Sequence, residues 1–257
     1  MGNTRDKVSA IILHIPHSST HIPEEYRYQF TLSDDELERE NLRITDHFTD
    51  DLFSGLQGQY KKVVAPVSRL LVDMERFADD EQEPMAIKGV GCIYRTTSTG
   101  KPLRHQISDK ERQNLMQEYY YPHHEVLTNT VDEILKDSSR CLIIDCHSFP
   151  STPLSYDENQ VIPRPDICLG SDRCHTPKEL VETAKIVFEK YKLSVEVNTP
   201  YSGTMVPIKH YHSDTRVQSL MIEVNRKLYM NENTGKQNCS FLAIQQLLHE
   251  CFSMLSE

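Results

Sequence analysis

The segment Cys141-Leu142-Ile143-Ile144-Asp145-Cys146-His147-Ser148 decides the predicted fold, and Ile11-Ile12-Leu13-His14-Ile15-Pro16-His17-Ser18 repeats its pattern. Each segment is an apolar run that ends in a histidine followed by a serine. Apolar runs of this length are typical of buried strands. Open α/β folds place their ligand sites at the ends of such strands. The two segments therefore predict an α/β sheet with His17 and His147 at its edge.

Signals for strands and helices alternate along the rest of the chain, which predicts an α/β fold with a central sheet. Residues 75–101 are rich in Gly, Pro, Asp and Thr and predict an extended loop. No internal repeat or Pro/Gly linker divides the sequence, so residues 1–257 are predicted to form a single domain. Strands are predicted at residues 8–15, 61–67, 70–73, 140–146, 193–197 and 219–224, with a short strand at 167–170.

Capping boxes predict where two helices begin. Ser33 and Ser108 are each followed, three residues later, by a glutamate that can bond back to the cap. The first helix is expected to run from Asp34 through residue 56. The second is expected to reach residue 137, with a kink or break at Pro122 because proline lacks the backbone N–H. Further helices are predicted after an N-cap at Thr176 and over residues 241–255.

Composition limits the classes of partner. Hydrophobic residues make up 38% and charged residues 26% of the 257-residue chain, as in an ordinary globular protein. The net charge of −10 argues against a nucleic-acid partner, because binding the phosphate backbone requires a surplus of basic groups. Local arginines can still bind a small anionic substrate within an acidic protein.

The cysteines and the N-terminal residues predict a cytoplasmic protein. Seven cysteines, an odd number without a CxxC pair, indicate reduced thiols rather than a disulfide framework. The first residues lack the apolar region of a secretory signal peptide, and the apolar run at 8–15 is too short to span a bilayer. We therefore expect no membrane association.

His17 and His147 are candidate ligands of one catalytic metal ion, which typically has three protein ligands and one open position. Each could instead be a loop histidine that hydrogen-bonds to the backbone. For the third ligand, Asp46 is expected at the margin of the apolar face of the first helix, where an inward carboxylate needs a cation. Asp50, one turn later, is a second candidate, although a solvated helix face explains it better. His21 is a weaker rival because it lies in the loop after His17.

Glu223 lies in an apolar segment that ends with Arg226, and a metal-bound water needs a base within hydrogen-bond reach. The alternative is a structural glutamate that pairs with Arg226. Guanidinium groups match carboxylates bidentately, so four arginines are candidate substrate ligands. The candidate substrate-binding residues are Arg69, Arg76, Arg95 and Arg226, together with His124 after Pro122 and Tyr201 in a Pro/Gly turn. Each of these could also be an ordinary surface or connecting residue.

Several motifs together resemble the N-formylglutamate amidohydrolase family over nearly the whole chain and in the family's order. The resemblance implies the three-layer α/β/α sandwich around a mixed central sheet, the phosphorylase/hydrolase-like fold of zinc carboxypeptidases. The motifs are HIPHS at 14–18, SRLLVD at 68–73, YPHH at 121–124, DCHS at 145–148, PDICLG at 165–170 and MIEVNR at 221–226.

The resemblance also implies a site and an activity. His17, His147 and Asp46 match the zinc ligands, Glu223 the general base and Arg226 a nearby cation. Residues 79–84 and 89–95 depart from the family pattern, and we expect them to shape the substrate pocket. The implied activity is zinc-dependent hydrolysis of an acidic N-acyl amino acid, foremost N-formyl-L-glutamate. The alternatives are another carboxypeptidase-like deacylase or amidase, and a non-catalytic domain that binds an acidic metabolite.

Overall fold

The computed structural model describes residues 11–54 and 60–256. A six-stranded sheet has the order β2-β1-β3-β6-β4-β5. All neighbouring pairs are parallel except β4 and β6, which are antiparallel, so the sheet is mixed as predicted. The strands are β1 (Ile11–Ile15), β2 (Tyr60–Val64), β3 (Cys141–Phe149), β4 (Ile167–Gly170), β5 (Val195–Val197) and β6 (Val217–Asn225), and a separate hairpin pairs β7 (Met230–Asn231) with β8 (Lys236–Gln237).

Helices cover both faces of the sheet, which confirms the α/β/α layers. One face packs against α2, α5 and α6, and the other packs against α4. The described helices are α1 (Asp34–Ile44), α2 (Thr49–Ser54), α3 (Asp109–Leu115), α4 (Tyr121–Asp137), α5 (Lys178–Lys190) and α6 (Phe241–Leu255). Among the described residues, no helix is both long and apolar enough to cross a bilayer.

Strand β3 is buried on both faces because its apolar side chains alternate between two cores. Leu142 and Ile144 lie in the core beneath α5 and α6, whereas Ile143 lies in the core beneath α4. Burying each such side chain stabilises the fold by roughly 1.5–3 kcal/mol. This strand extends to Phe149, so the prediction that it ends before His147 was wrong.

The capping boxes at Ser33 and Ser108 are both formed, which confirms the two predicted helix starts. The first helix, however, ends at Ile44, and α2 begins separately at Thr49. Phe48 has a φ of 65° between them, a left-handed conformation that a helix cannot contain. Leu56 lies outside the described residues.

The remaining predictions differ from the structure in places. The long helical stretch changes to a π-helix at Met116–Tyr120, which ends two residues before Pro122 in the first turn of α4. Residues 70–73 form a turn, in which two N–H groups bond to the Ser68 carbonyl, rather than a strand. The Thr176 hydroxyl donates to the Ser219 carbonyl and does not cap α5. Residues 75–101 are irregular apart from a 3₁₀ helix at Pro84–Lys88, and residues 8–10 lie outside the described part of the chain.

Candidate metal centre and active site

The register of the sheet brings polar side chains to one edge. His14 of β1 lies opposite Asp145 of β3, and His147 lies opposite Glu223 of β6. Because alternate residues of a strand share a face, Asp145 and His147 point the same way. The carboxyl ends of these three parallel strands therefore present a polar stripe, formed by His14, Asp145, His147 and Glu223. It lies on the same face of the sheet as α4, which packs against earlier residues of the strands.

His17, Asp46 and His147 converge beside this stripe. One ligand atom from each lies within 4.8 Å of the others, and all three residues are buried. Asp46 Oδ2 lies 3.1 Å from His147 Nδ1 and 3.7 Å from His17 Nδ1. Two imidazoles and one carboxylate are the donor set of several catalytic zinc sites. The structure thus brings together the three residues that the sequence nominated.

The opposite nitrogen of each imidazole is bound to carboxylates. His17 Nε2 lies 2.8 Å from Asp73 Oδ1, and His147 Nε2 lies 3.2 Å from both Asp145 Oδ1 and Glu75 Oε2. With a metal bound, these contacts would keep a proton on each Nε2 and leave each Nδ1, which lies on the side of Asp46, as the ligand atom. The His17 Nδ1 atom is buried without a hydrogen-bond partner. A metal ion would satisfy this atom, so the residues fit a zinc site.

Asp46 lies in the connection between α1 and α2, not within the first helix as predicted. Its backbone N–H donates to the His17 carbonyl (3.0 Å), and Arg226 Nη2 donates to its Oδ1 (3.0 Å). Burial raises the pKa of Asp46, but the hydrogen bond from His147 and the positive charges of His17 and Arg226 outweigh this effect. The pKa therefore lies well below its ordinary value, and the carboxyl group is ionised.

Arg226 anchors this connection. Its guanidinium group also donates to the carbonyls of Arg43 (2.6 Å) and Ser148 (3.2 Å) and to the Ser148 hydroxyl (3.3 Å). With 3% of its surface exposed, Arg226 orients Asp46 and has little surface for a substrate.

Glu223 is buried beside His147, and its Oε2 has no hydrogen-bond partner. Burial raises its pKa to about 8, although the positive charges of His147 and Arg226 oppose the shift. The ion pair of Arg226 is with Asp46. Glu223 therefore lacks the ion pair with Arg226 that a structural role would require.

Two of the candidate substrate arginines lie beside the cluster. Arg69 donates twice to Asp73 Oδ2, at 3.2 and 2.9 Å, and its Nη1 lies 3.9 Å from Asp46 Oδ1. Arg76 lies 3.9 Å from the same Asp73 oxygen, and its buried Nε has no hydrogen-bond partner. Arg95 is directed elsewhere, because its Nη2 donates to the Ala86 carbonyl (2.7 Å).

The other nominated side chains are already engaged or exposed. His124 Nε2 donates to the Met74 carbonyl (2.9 Å), and burial lowers the pKa of His124 to about 4. The Tyr201 hydroxyl accepts from Arg164 (3.0 Å) and donates to Asp157 (3.1 Å). Asp50 is exposed, in agreement with the solvated helix face that the sequence favoured for it, and His21 is exposed as well.

Sequence reasoning missed the carboxylates behind the histidines. Asp73 also accepts from the Tyr94 hydroxyl (2.8 Å), and Asp145 contacts His14 Nδ1 (2.8 Å), whose Nε2 meets His123 Nε2 (2.9 Å). For Asp145 a signal existed, because it stands two residues before His147 in a strand. The position of Asp73 depends on a turn that residues 70–73 did not reveal.

Comparison with known proteins identifies the fold and the family. The crystal structure of N-formylglutamate amidohydrolase from Ralstonia eutropha JMP134 has a similar fold, with a TM-score of 0.80, 22% identity, and coverage of 99% of this chain and 94% of that one. The crystal structure of a gene product from Agrobacterium tumefaciens has a TM-score of 0.69 and 18% identity, and covers 100% of this chain and 95% of that one. No curated protein sequence matches this chain. The model of the N-formylglutamate amidohydrolase family matches residues 9–230. The chain therefore belongs to the N-formylglutamate amidohydrolase family.

Proposed function

We propose that this protein is a zinc-dependent amidohydrolase that cleaves N-formyl-L-glutamate to formate and L-glutamate. Membership of the family supports hydrolysis of an amide bond. The observation that carries the zinc dependence is the convergence of His17 Nδ1, His147 Nδ1 and Asp46 Oδ2, with the Nε2 atom of each histidine held by carboxylates. When bound there, zinc would polarise the formyl oxygen and acidify a water molecule.

Glu223 is the proposed general base. Its register beside His147 supports a position next to the bound substrate. Its free Oε2 can accept a proton from the attacking water and return it to the nitrogen of the leaving amine. A pKa raised toward neutral suits both transfers, because the group then accepts and releases a proton without a large energetic cost. Zinc, if held by His17, His147 and Asp46, would add positive charge and lower that pKa, which would favour the ionised base.

Arg76 and Arg69 are the proposed ligands of the substrate carboxylates. N-formyl-L-glutamate carries two carboxylates, and the cluster has two guanidinium groups at its margin. Arg76 Nε makes no hydrogen bond, and the guanidinium group has only longer ion-pair contacts with Asp73 (3.9 Å) and Glu83 (3.5 Å), so it can bind a carboxylate from its partly exposed side without breaking a hydrogen bond at Nε. Arg69 donates hydrogen bonds to Asp73, and this contact fixes the orientation of the Arg69 guanidinium group before the substrate binds.

A comparison of substrates tests this function. Formate release is measured from N-formyl-L-glutamate, N-formyl-L-glutamine and N-formyl-L-leucine at equal zinc. We expect kcat/KM to be highest for the dicarboxylate, by roughly ten- to a hundredfold for each lost charged contact. Equal rates on all three would refute recognition of two carboxylates and favour a broader deacylase. Tight binding of N-formyl-L-glutamate without turnover would favour the non-catalytic binding domain.

A further inference from the structure

A second group of metal-ligand side chains lies at the other end of the sheet. Because β4 is antiparallel to β6, the chain that leaves β4 emerges where β6 begins, opposite the edge that carries Glu223. Asp172 and Cys174 follow β4 directly. The neighbouring His175 bonds through Nδ1 to the carbonyl of Val217, the first residue of β6 (2.7 Å). This end of the sheet is separate from the proposed catalytic centre.

Asp172, Cys174 and His212 converge there. Their ligand atoms lie within 4.8 Å of one another, and Asp172 Oδ2 lies 3.1 Å from His212 Nε2. A thiolate, an imidazole and a carboxylate together suit zinc and related divalent ions, and they differ from the donor set of the catalytic cluster by the sulfur atom. The site is partly exposed, so water can supply a fourth ligand.

The surroundings hold two of these ligands in place. Asp172 Oδ1 accepts the backbone N–H groups of Cys174 (2.7 Å) and His175 (3.0 Å), which leaves Oδ2 directed at His212. The backbone N–H of His212 donates to His175 Nε2 (2.8 Å), and its ring stacks on Tyr211 with centroids 3.9 Å apart. Asp172 and His212 are therefore oriented by backbone groups and by His175, much as outer contacts orient the ligands of established metal sites.

We propose that Asp172, Cys174 and His212 bind a second divalent cation of the zinc class, distinct from the catalytic one. Binding forms a metal–sulfur bond, and the thiol proton of Cys174 is released to solvent. The ion would link the segment that follows β4 to the turn around His212, and these two segments are far apart in the sequence. This site does not depend on the proposed function, because none of its ligands lies near the catalytic cluster.

Cobalt binding tests the proposal. Metal-free protein is titrated with Co²⁺, whose bond to a thiolate gives a near-ultraviolet charge-transfer band that imidazole and carboxylate ligands do not give. The catalytic cluster contains no cysteine, so this band reports the second site alone. We expect the band of the wild type to saturate when one equivalent of cobalt occupies this site, in addition to any cobalt bound by the catalytic cluster. Added zinc should abolish the band because it displaces the cobalt.

Two variants and one control identify the ligands. Cys174→Ser should lose the band and one equivalent of bound zinc, while Cys239→Ser, which removes the other exposed cysteine, should keep both. His212→Asn should lose one equivalent of zinc without unfolding, because asparagine tolerates the left-handed backbone of His212, whose φ is 52°. Formate release should be unchanged in all three. A wild type without the band at saturating cobalt, or a Cys174→Ser protein that retains it, would overturn the proposal.

Discussion

Glu223 shows how the environment of one residue can change its chemistry. An exposed glutamate is ionised at neutral pH and is a weak base. Burial beside His147 raises the pKa of Glu223 to about 8 and leaves one oxygen without a partner. An ion pair with Arg226 would have opposed this, but Arg226 is committed to Asp46. The result is a carboxyl group suited to proton transfer at neutral pH.

Replacing this base should affect catalysis more than folding. Glu223→Gln keeps the shape of the side chain but cannot accept a proton, so kcat should fall by about 10²–10⁴-fold. Zinc content should stay near one equivalent at the catalytic site, and the melting temperature should not fall, because no ion pair is lost. These are measured by formate release, elemental analysis and calorimetry. Near-normal kcat together with a lower melting temperature would instead identify Glu223 as a structural residue.

Arg76 and Arg95 form a matched pair of predictions at the same scale. Arg76→Gln should raise KM for N-formyl-L-glutamate by roughly ten- to a hundredfold, because a charge-assisted contact is lost. Arg95→Gln should leave KM unchanged, since that guanidinium donates to the Ala86 carbonyl instead. Steady-state kinetics of both variants distinguish the two roles. Equal effects would contradict the assignment of Arg76 to the substrate.

At the scale of elements, the sequence predicted features that depend on neighbouring residues, such as helix caps. It did not predict features that depend on contacts between distant segments, such as strand register. Ser33 and Ser108 cap their helices through bonds within four residues, so the sequence contains the whole signal. The neighbourhood of His147 and Glu223 depends on the register of two strands far apart in the chain. The sequence identified Asp46 as a candidate ligand but placed it within a helix. It lies instead in the connection between α1 and α2, where Phe48 has a left-handed backbone that no local sequence pattern predicts.

The connection between α1 and α2 should depend on Arg226 for its geometry. Arg226→Lys retains the charge but loses the fork that binds Asp46 together with the carbonyls of Arg43 and Ser148. We expect zinc affinity to fall by about 10–100-fold, as for other residues that orient ligands. Arg164→Lys is the control, because this buried arginine pairs with Asp157. It should lower stability without changing zinc affinity, and an equal loss of zinc in both variants would indicate general unfolding instead.

At the scale of the whole molecule, the residues that stabilise the sheet and the polar residues of the candidate site occupy different parts of it. Its apolar side chains fill cores on both faces, and the polar residues of β1, β3 and β6 collect at one edge. The apolar runs predicted the central strands of this arrangement, and the family resemblance implied a mixed sheet. Neither identified β4 as the antiparallel strand, whose direction takes Asp172 to the opposite end.

The buried cluster should make the stability of the metal-free protein depend on pH. The folded state raises the pKa of Glu223 from 4.5 to about 8 and so binds its proton more tightly than the unfolded chain does. The contribution of Glu223 to the free energy of unfolding should therefore fall as the pH rises between these values. Glu223→Gln removes this contribution, so the difference in urea stability between wild type and variant should decline across the range. Identical pH profiles for the two proteins would contradict the raised pKa.

The central claim is that His17, His147 and Asp46 hold a metal ion without which the amide is not hydrolysed. The direct measurement is formate release from N-formyl-L-glutamate by protein stripped of metal, before and after zinc is restored. We predict that the wild type loses turnover when the metal is removed and regains it when zinc is restored. The His147→Ala variant, which lacks one proposed ligand, should regain little turnover at the same zinc concentration. Full turnover by the metal-free protein would contradict the claim.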